Sequence, residues 1–173
     1  ITDVRGEDVS PEKMMVRLNE RLCSLLDRPP LPRFVTALYA LVDLAESRIT
    51  VASAGHAWPL LRPADGTTEP ICGVECGPAL GLIRGSSYAS ESRELGAGDR
   101  VLFYTDGWTE ETDTWGDEFG TQRLCATLDQ HAGASPDVTL HEAAREVRVF
   151  AGKPTFTDDL CAVLVQFGHN EQA

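Results

Sequence analysis

The sequence predicts an α+β fold in one layered domain, and three observations point there. Strand-like runs crowd residues 34–105, two helical stretches follow near 119–131 and 136–150, and an apolar strand returns at Leu160 to Phe167. Strands, then paired helices, then a strand is not the regular alternation of a parallel βαβ sheet. No internal repeat, low-complexity tract or linker interrupts the chain. Its 173 residues therefore read as a single domain, 1–173, of a size that buries roughly 70% of its unfolded surface.

Each element has its own signal. Ser10-Pro11-Glu12 opens a helix, with Ser as N-cap, Pro at the first helical position and an acid in the first turn. Met14, Met15, Leu18, Leu22, Leu25 and Leu26 follow at three-and-four spacing and predict one apolar face. The helix is expected to stop before Pro29-Pro30. Phe34 to Val42 and Ile49 to Ala54 read as two strands, joined by the polar stretch Asp43 to Arg48 as a hairpin loop. A third run, Trp58 to Arg62, closes at the turn Pro63-Ala64-Asp65-Gly66. Short strands are expected near 69–72 and 88–95, with Gly77-Pro78-Ala79-Leu80-Gly81-Leu82 as an ordered loop between them. Ala97-Gly98-Asp99 turns into Arg100 to Thr105, an unbroken apolar run of the buried-strand kind. Gly133 separates the two helices, and Ser135-Pro136 caps the second.

Charge and composition exclude several function classes. Fifteen Lys and Arg stand against 27 Asp and Glu, a net charge of −12. So acidic a chain repels phosphate backbones and anionic lipid, which argues against nucleic-acid binding or membrane attachment as its work. No apolar run approaches the roughly 20 residues of a membrane span. Five scattered cysteines, Cys72 and Cys76 in C-x-x-x-C spacing among them, lack the second ligand pair of a zinc site. They read as reduced thiols in a cytoplasmic protein.

Two places carry candidate chemistry. In Val101-Leu102-Phe103-Tyr104-Thr105-Asp106-Gly107 a buried strand ends in a carboxylate, followed by a Gly that allows a sharp turn. In Thr157-Asp158-Asp159 acids directly precede the last strand. If these two strands are antiparallel neighbours, Asp106 and Asp158 meet at one rim of a sheet. Convergent carboxylates suit a hard divalent ion, which can activate water and stabilise a phosphoryl group. Taken one at a time, each place reads first as an ordinary turn, cap or loop. His56, in Ala54-Gly55-His56, reads as a structural imidazole in a tight turn, and His131 and His141 as surface residues.

Six segments in order carry a family resemblance. They are Phe34-Val35-Thr36-Ala37-Leu38-Tyr39, Ala52 to Leu61 around Gly55-His56, Gly77 to Leu82, Gly98 to Glu110 around Asp106-Gly107, Glu118-Phe119-Gly120, and Thr157-Asp158-Asp159; Leu18-Asn19 adds to them. Together they resemble the bacterial branch of the metal-dependent (PPM, type 2C-like) protein serine/threonine phosphatases, with its sporulation stage II E and RsbU-type members. The likeness spans about residues 10 to 167. It implies an α-β-β-α sandwich of two antiparallel sheets flanked by helices. It also implies hydrolysis of phosphoserine or phosphothreonine by water activated on Mn2+ or Mg2+. Asp106 and Asp158 match the family's metal-binding acids. Asp159, at a position occupied by Asn or Asp, stands with these metal-site acids but is expected to support the loop more than to bind the ion, and Glu110 to be a helix-start acid. The branch implies a phosphorylated regulatory partner, such as an anti-anti-sigma factor of the STAS type in a stress response, and a homodimer set by upstream sensor domains.

The resemblance also brings a departure. The family's upstream Asp-x-Ser-Gly-His-Gly motif, whose Asp bridges two metals, has no counterpart at the right distance. Asp3-Val4-Arg5-Gly6 stands too close to Asn19 to be that motif and reads as the tail of the region. The expectation is an N-terminally incomplete domain, beginning at Ile1 rather than at Met, with the first strands missing. A second reading follows from the same departure: a phosphatase-like interaction or regulatory module without activity.

Overall fold

The computed structural model describes residues 10–26, 33–73, 75–153 and 155–168. Asp3-Val4-Arg5-Gly6, the Pro29-Pro30 stop and His169 lie outside them. In chain order the elements are helix α1 (Pro11–Leu26), strands β1 (Ala37–Asp43), β2 (Arg48–Ala54), β3 (Leu60–Arg62), β4 (Glu69–Pro70), β5 (Ser90–Glu94) and β6 (Arg100–Tyr104), a 3-10 turn (Asp106–Trp108), helices α2 (Gly120–Gln130) and α3 (Pro136–Ala151), and strand β7 (Ala162–Gln166). The α+β class is as the sequence predicts, with three helices and two antiparallel sheets. The strands are mostly shorter than expected, two of them for evident local reasons. Val35 makes a lone bridge to Leu80 instead of joining β1, and Cys161 is occupied by Thr105.

The chain divides into two compact units. The first, Ile1–Trp58 with Ile71–Glu94, holds α1 and a sheet ordered β1-β2-β5. The β1–β2 hairpin closes as its polar loop predicts. Asp43 Oδ1 accepts the N–H groups of Ala45 and Glu46 at 2.9 and 3.0 Å, an Asx turn, and Ser47 takes φ +48°. Met15, Ala52, Ala54, Leu80 and Tyr88 form the core. The 77–82 loop is ordered, as expected: Gly77 donates its N–H to the Ser53 carbonyl and accepts the Gly55 N–H, and Leu80 and Val35 exchange a pair of backbone bonds. A Cβ on Gly77 would fall 2.3 Å from the Tyr88 ring, so only Gly fits there.

Helix α1 corrects the expected apolar face. Its buried stripe is Pro11, Met15, Asn19 and Cys23, while Leu18 and Leu25 are exposed. A polar side chain has the central place because it holds the neighbouring loop. Asn19 Oδ1 accepts the Gly81 N–H at 2.8 Å, and its Nδ2 donates to the Ile83 carbonyl at 2.9 Å. Both contacts serve backbone groups that lack a strand partner, which is what a buried amide must do to offset its desolvation.

The second unit, Pro59–Pro70 with Leu95–Ala173, holds a sheet ordered β4-β3-β6-β7. β6 is the central apolar run predicted from sequence, with Val101 and Leu102 fully buried. Its first residue, Arg100, is buried too. It reaches the Thr139 hydroxyl and the Ala134 carbonyl, and so ties the start of α3 to the sheet. Ser135 caps α3 by accepting the Val138 N–H, and Gly152 ends it in the left-handed region. Asp99 fixes the entry into β6, accepting the N–H groups of Ala64 and Gly96 at 2.8 and 2.7 Å.

The Asn19 contacts yield a stability prediction. Asn19→Ala leaves the half-buried Gly81 N–H without its acceptor, while the Ile83 carbonyl keeps the Ser86 hydroxyl, and is expected to lower the unfolding free energy by about 1 kcal/mol, read from urea denaturation with an unchanged m-value.

Candidate active site

β6 and β7 pair antiparallel, with Tyr104 opposite Ala162 as the last matched residues. The pairing continues past the strands through side chains. The Thr105 N–H donates to the Cys161 carbonyl at 3.0 Å. Its hydroxyl accepts the Cys161 N–H and donates to the Asp159 carbonyl, both at 3.1 Å. Trp108, buried, donates its Nε1–H to the Cys161 carbonyl at 3.1 Å. The segment after β6 is thereby stitched to the segment before β7.

Asp106 opens the 3-10 turn at this seam. Its carbonyl accepts the N–H groups of Thr109 and Glu110, each at 2.8 Å, so the chain reverses just past the strand. Gly107 is required by closeness: a Cβ there would sit 2.8 Å from the Asp159 carbonyl oxygen. The backbones of Asp106-Gly107 and Asp158-Asp159 thus run against one another. The side chains of Asp106, Asp158 and Asp159 are exposed. Asp106 Oδ1 accepts the Gly107 N–H at 3.1 Å, and Asp158 Oδ1 the Asp159 N–H at 2.7 Å.

The structure therefore places the two segments carrying the three predicted acids side by side at one sheet rim. Among the described residues no cluster of three or more His, Cys, Asp or Glu side chains forms a metal cage. The donor chemistry still fits magnesium or manganese, which take one or two carboxylates and keep several waters. Glu110 does not start a helix: the 3-10 turn precedes it, α2 begins at Gly120, and its side chain is exposed. The Gly55-His56 turn is tied by Ser53, whose hydroxyl donates to the His56 carbonyl at 2.6 Å and accepts the His56 N–H at 3.2 Å. All five cysteines are free thiols, and burial pushes that of Cys125 up to about 11.

Sequence reasoning missed Glu111. It is 2% exposed, the most deeply buried carboxylate among the described residues. Its Oε2 accepts the Thr157 N–H at 2.8 Å, and its Oε1 accepts the Thr157 hydroxyl at 2.9 Å and Lys153 Nζ at 3.1 Å. These bonds, the Thr157 N–H foremost, outweigh burial and hold the carboxyl below its ordinary pKa of 4.5. Nothing in the pair Glu110-Glu111 says which glutamate turns inward.

The stage II sporulation protein E (SpoIIE) family pattern matches residues 2–168. The chain belongs to the SpoIIE family. Among curated proteins, this SpoIIE-family chain is 31% identical over 107 residues to the phosphoserine phosphatase RsbP of Bacillus subtilis, a match covering 61% of the chain and 26% of RsbP. The chain spans only 16–26% of the length of the curated relatives it matches. Among solved structures it resembles the SiaA-PP2C domain of Pseudomonas aeruginosa, with a TM-score of 0.76 at 18% identity over 91% of the chain and 61% of that domain. The manganese-presoaked phosphatase domain of SpoIIE from Bacillus subtilis gives 0.64 at 18% identity over 95% and 69%. These likenesses show a PP2C-like fold.

Two predictions follow from the seam. Gly107→Ala drives a methyl group into the Asp159 carbonyl and is expected to cost about 1–3 kcal/mol, visible as a lowered melting temperature. The lowered pKa of Glu111 stabilises the fold above the ordinary carboxylate range near 4.5. That contribution is lost as pH falls through the folded-state pKa. Glu111→Gln is thus expected to flatten the acid limb of the stability–pH curve, measured by urea unfolding from pH 7 down to 3.

Proposed function

We propose that this chain is the catalytic region of a PPM-type protein serine/threonine phosphatase acting on a phosphorylated regulatory protein of the anti-anti-sigma, STAS-like type in the cytoplasm. The observation that carries this reading is the seam itself. Asp106 and Asp158 lie on segments stitched together after β6 and before β7, which supports reading them as the ion-binding acids that the sequence resemblance implies. Membership in the SpoIIE family and the likeness to RsbP support the reaction class.

Asp106 and Asp158 would hold Mn2+ or Mg2+, and Asp159, directly after Asp158, would support its loop. A hard ion bound there supplies a water of lowered pKa and neutralises phosphoryl charge. The residues of the chain do the rest. Exposed carboxylates leave room for a protein-borne phosphate to approach. The 3-10 turn and its bonds to Cys161 fix the acids before any ligand arrives, so less ordering is needed at the moment of reaction.

The test is manganese-dependent release of phosphate from a phosphoserine protein, with wild type and Asp106→Asn compared. Asp106→Asn is expected to remain folded by circular dichroism and to lose manganese-dependent turnover at least 100-fold, on the order of a missing metal ligand. An equally active Asp106→Asn protein overturns the site. A folded wild type that binds the phosphoprotein but never turns it over favours the reading as an interaction module.

A further inference from the structure

Glu111 spans the same seam from beneath. It lies a few residues past Asp106 in sequence, yet its carboxylate bonds to Thr157, the residue directly before Asp158. Its main chain is committed as well: the Glu111 carbonyl accepts the Phe119 N–H at 2.9 Å. One residue therefore ties the segment after the 3-10 turn to the loop that enters β7 and to the residue preceding α2. Lys153, just past the end of α3, brings a cation to the same oxygen at 3.1 Å and lies 3.4 Å from the Thr157 hydroxyl.

The donor count explains why the residue is an acid. Three donors converge on one side chain: a backbone N–H, a hydroxyl and an ammonium. A carboxylate offers two acceptor oxygens and no donor, so it can serve all three. An amide turns its NH2 toward one of them, and an apolar residue serves none. Charge-assisted bonds of this kind are shorter and stronger than neutral ones. A buried acid with every partner in place is costly to disturb, because removing it leaves its donors unpaired.

We propose that Glu111 is a positioning residue that sets where Asp158 stands relative to Asp106, with Lys153 as its neutralising partner. The proposal rests on the reading of Asp106 and Asp158 as ion ligands. Glu111 itself is not proposed as a ligand: it is buried, and both its oxygens accept from Thr157 or Lys153. Its effect on the ion passes through the Thr157-Asp158 backbone, as supporting residues behind a metal ligand act through the ligand they hold.

The experiment uses the full chain and Mn2+ alone. Free manganese is followed by its electron paramagnetic resonance signal during titration, and amide hydrogen exchange of residues 155–161 is measured without metal. Glu111→Ala is expected to weaken manganese binding about 10-fold or more and to speed exchange at Thr157. Glu111→Gln, which keeps one acceptor, is expected to fall between Glu111→Ala and wild type, and serves as the measurement should Glu111→Ala fail to fold. Asn19→Ala, in the other unit, supplies a destabilised control expected to bind manganese as wild type does. That separates positioning from general loss of stability. A folded Glu111 variant with wild-type manganese affinity overturns the proposal, as does unchanged exchange at Thr157. A wild type that takes up no manganese, with exchange still accelerated in the variants, overturns the ion reading beneath it and leaves the tie between the two segments standing.

Discussion

The antiparallel pairing of β6 with β7 is the constraint on which the candidate site depends. Strands so paired bring the end of one beside the start of the other, and here that converts two acids far apart in sequence into neighbours across a seam. Strand pairing alone would leave the acids on loops. Thr105 prevents this by extending the pairing with its own hydroxyl, acting as acceptor toward Cys161 and donor toward Asp159. Trp108 then folds back to the same Cys161 carbonyl. A residue whose backbone and side chain are both recruited in this way makes the turn an extension of the sheet, and sites on such rigid elements are more precise than sites on free loops.

Closeness at the seam also explains composition. The approach of Gly107 to the Asp159 carbonyl admits no side chain, so the Asp-Gly order is set by the neighbour across the sheet as much as by the turn. The exposed acids around it belong to a chain with net charge −12. Exposed like charges a few ångströms apart repel by only about 1 kcal/mol in water. The rim can therefore stay hydrated and open, which is what the proposed ion site requires.

Periodicity and turn chemistry made most of the fold legible. The Asp43 hairpin, the apolar β6 and the Ser135-Pro136 cap all follow from local residues, because each is stabilised by contacts close in sequence or by burial, whereas the 77–82 loop, legible by its Gly and Pro, is held by Ser53, Val35 and Asn19 far along the chain. Asp106 and Asp158 were legible as candidates through strand ends and family motifs. Asn19 and Glu111 were not legible in their roles. A helix face is read by counting apolar residues, and that count passes over a buried Asn whose partners are two backbone groups in a distant loop. Likewise a sequence shows two adjacent glutamates but not the Lys153 and Thr157 that pull one inward. Both failures share a cause: the information lies in partners distant along the chain, while hydrophobic pattern reports only on neighbours.

Under the proposed function, the two kinds of carboxylate in this unit divide the work along physical lines. A group that is to take up an ion and lose it again has to be reachable by water, since ligand exchange proceeds through hydration. Asp106, Asp158 and Asp159 are accordingly exposed. Exposure makes a side chain a poor determinant of its own position, because water competes for its bonds. A group that is to hold the others in place needs the reverse condition. Glu111, buried and fully partnered, has no water to compete with its bonds to Thr157 and Lys153. Exchanging the two environments would give a ligand that cannot be reached and a support that does not hold.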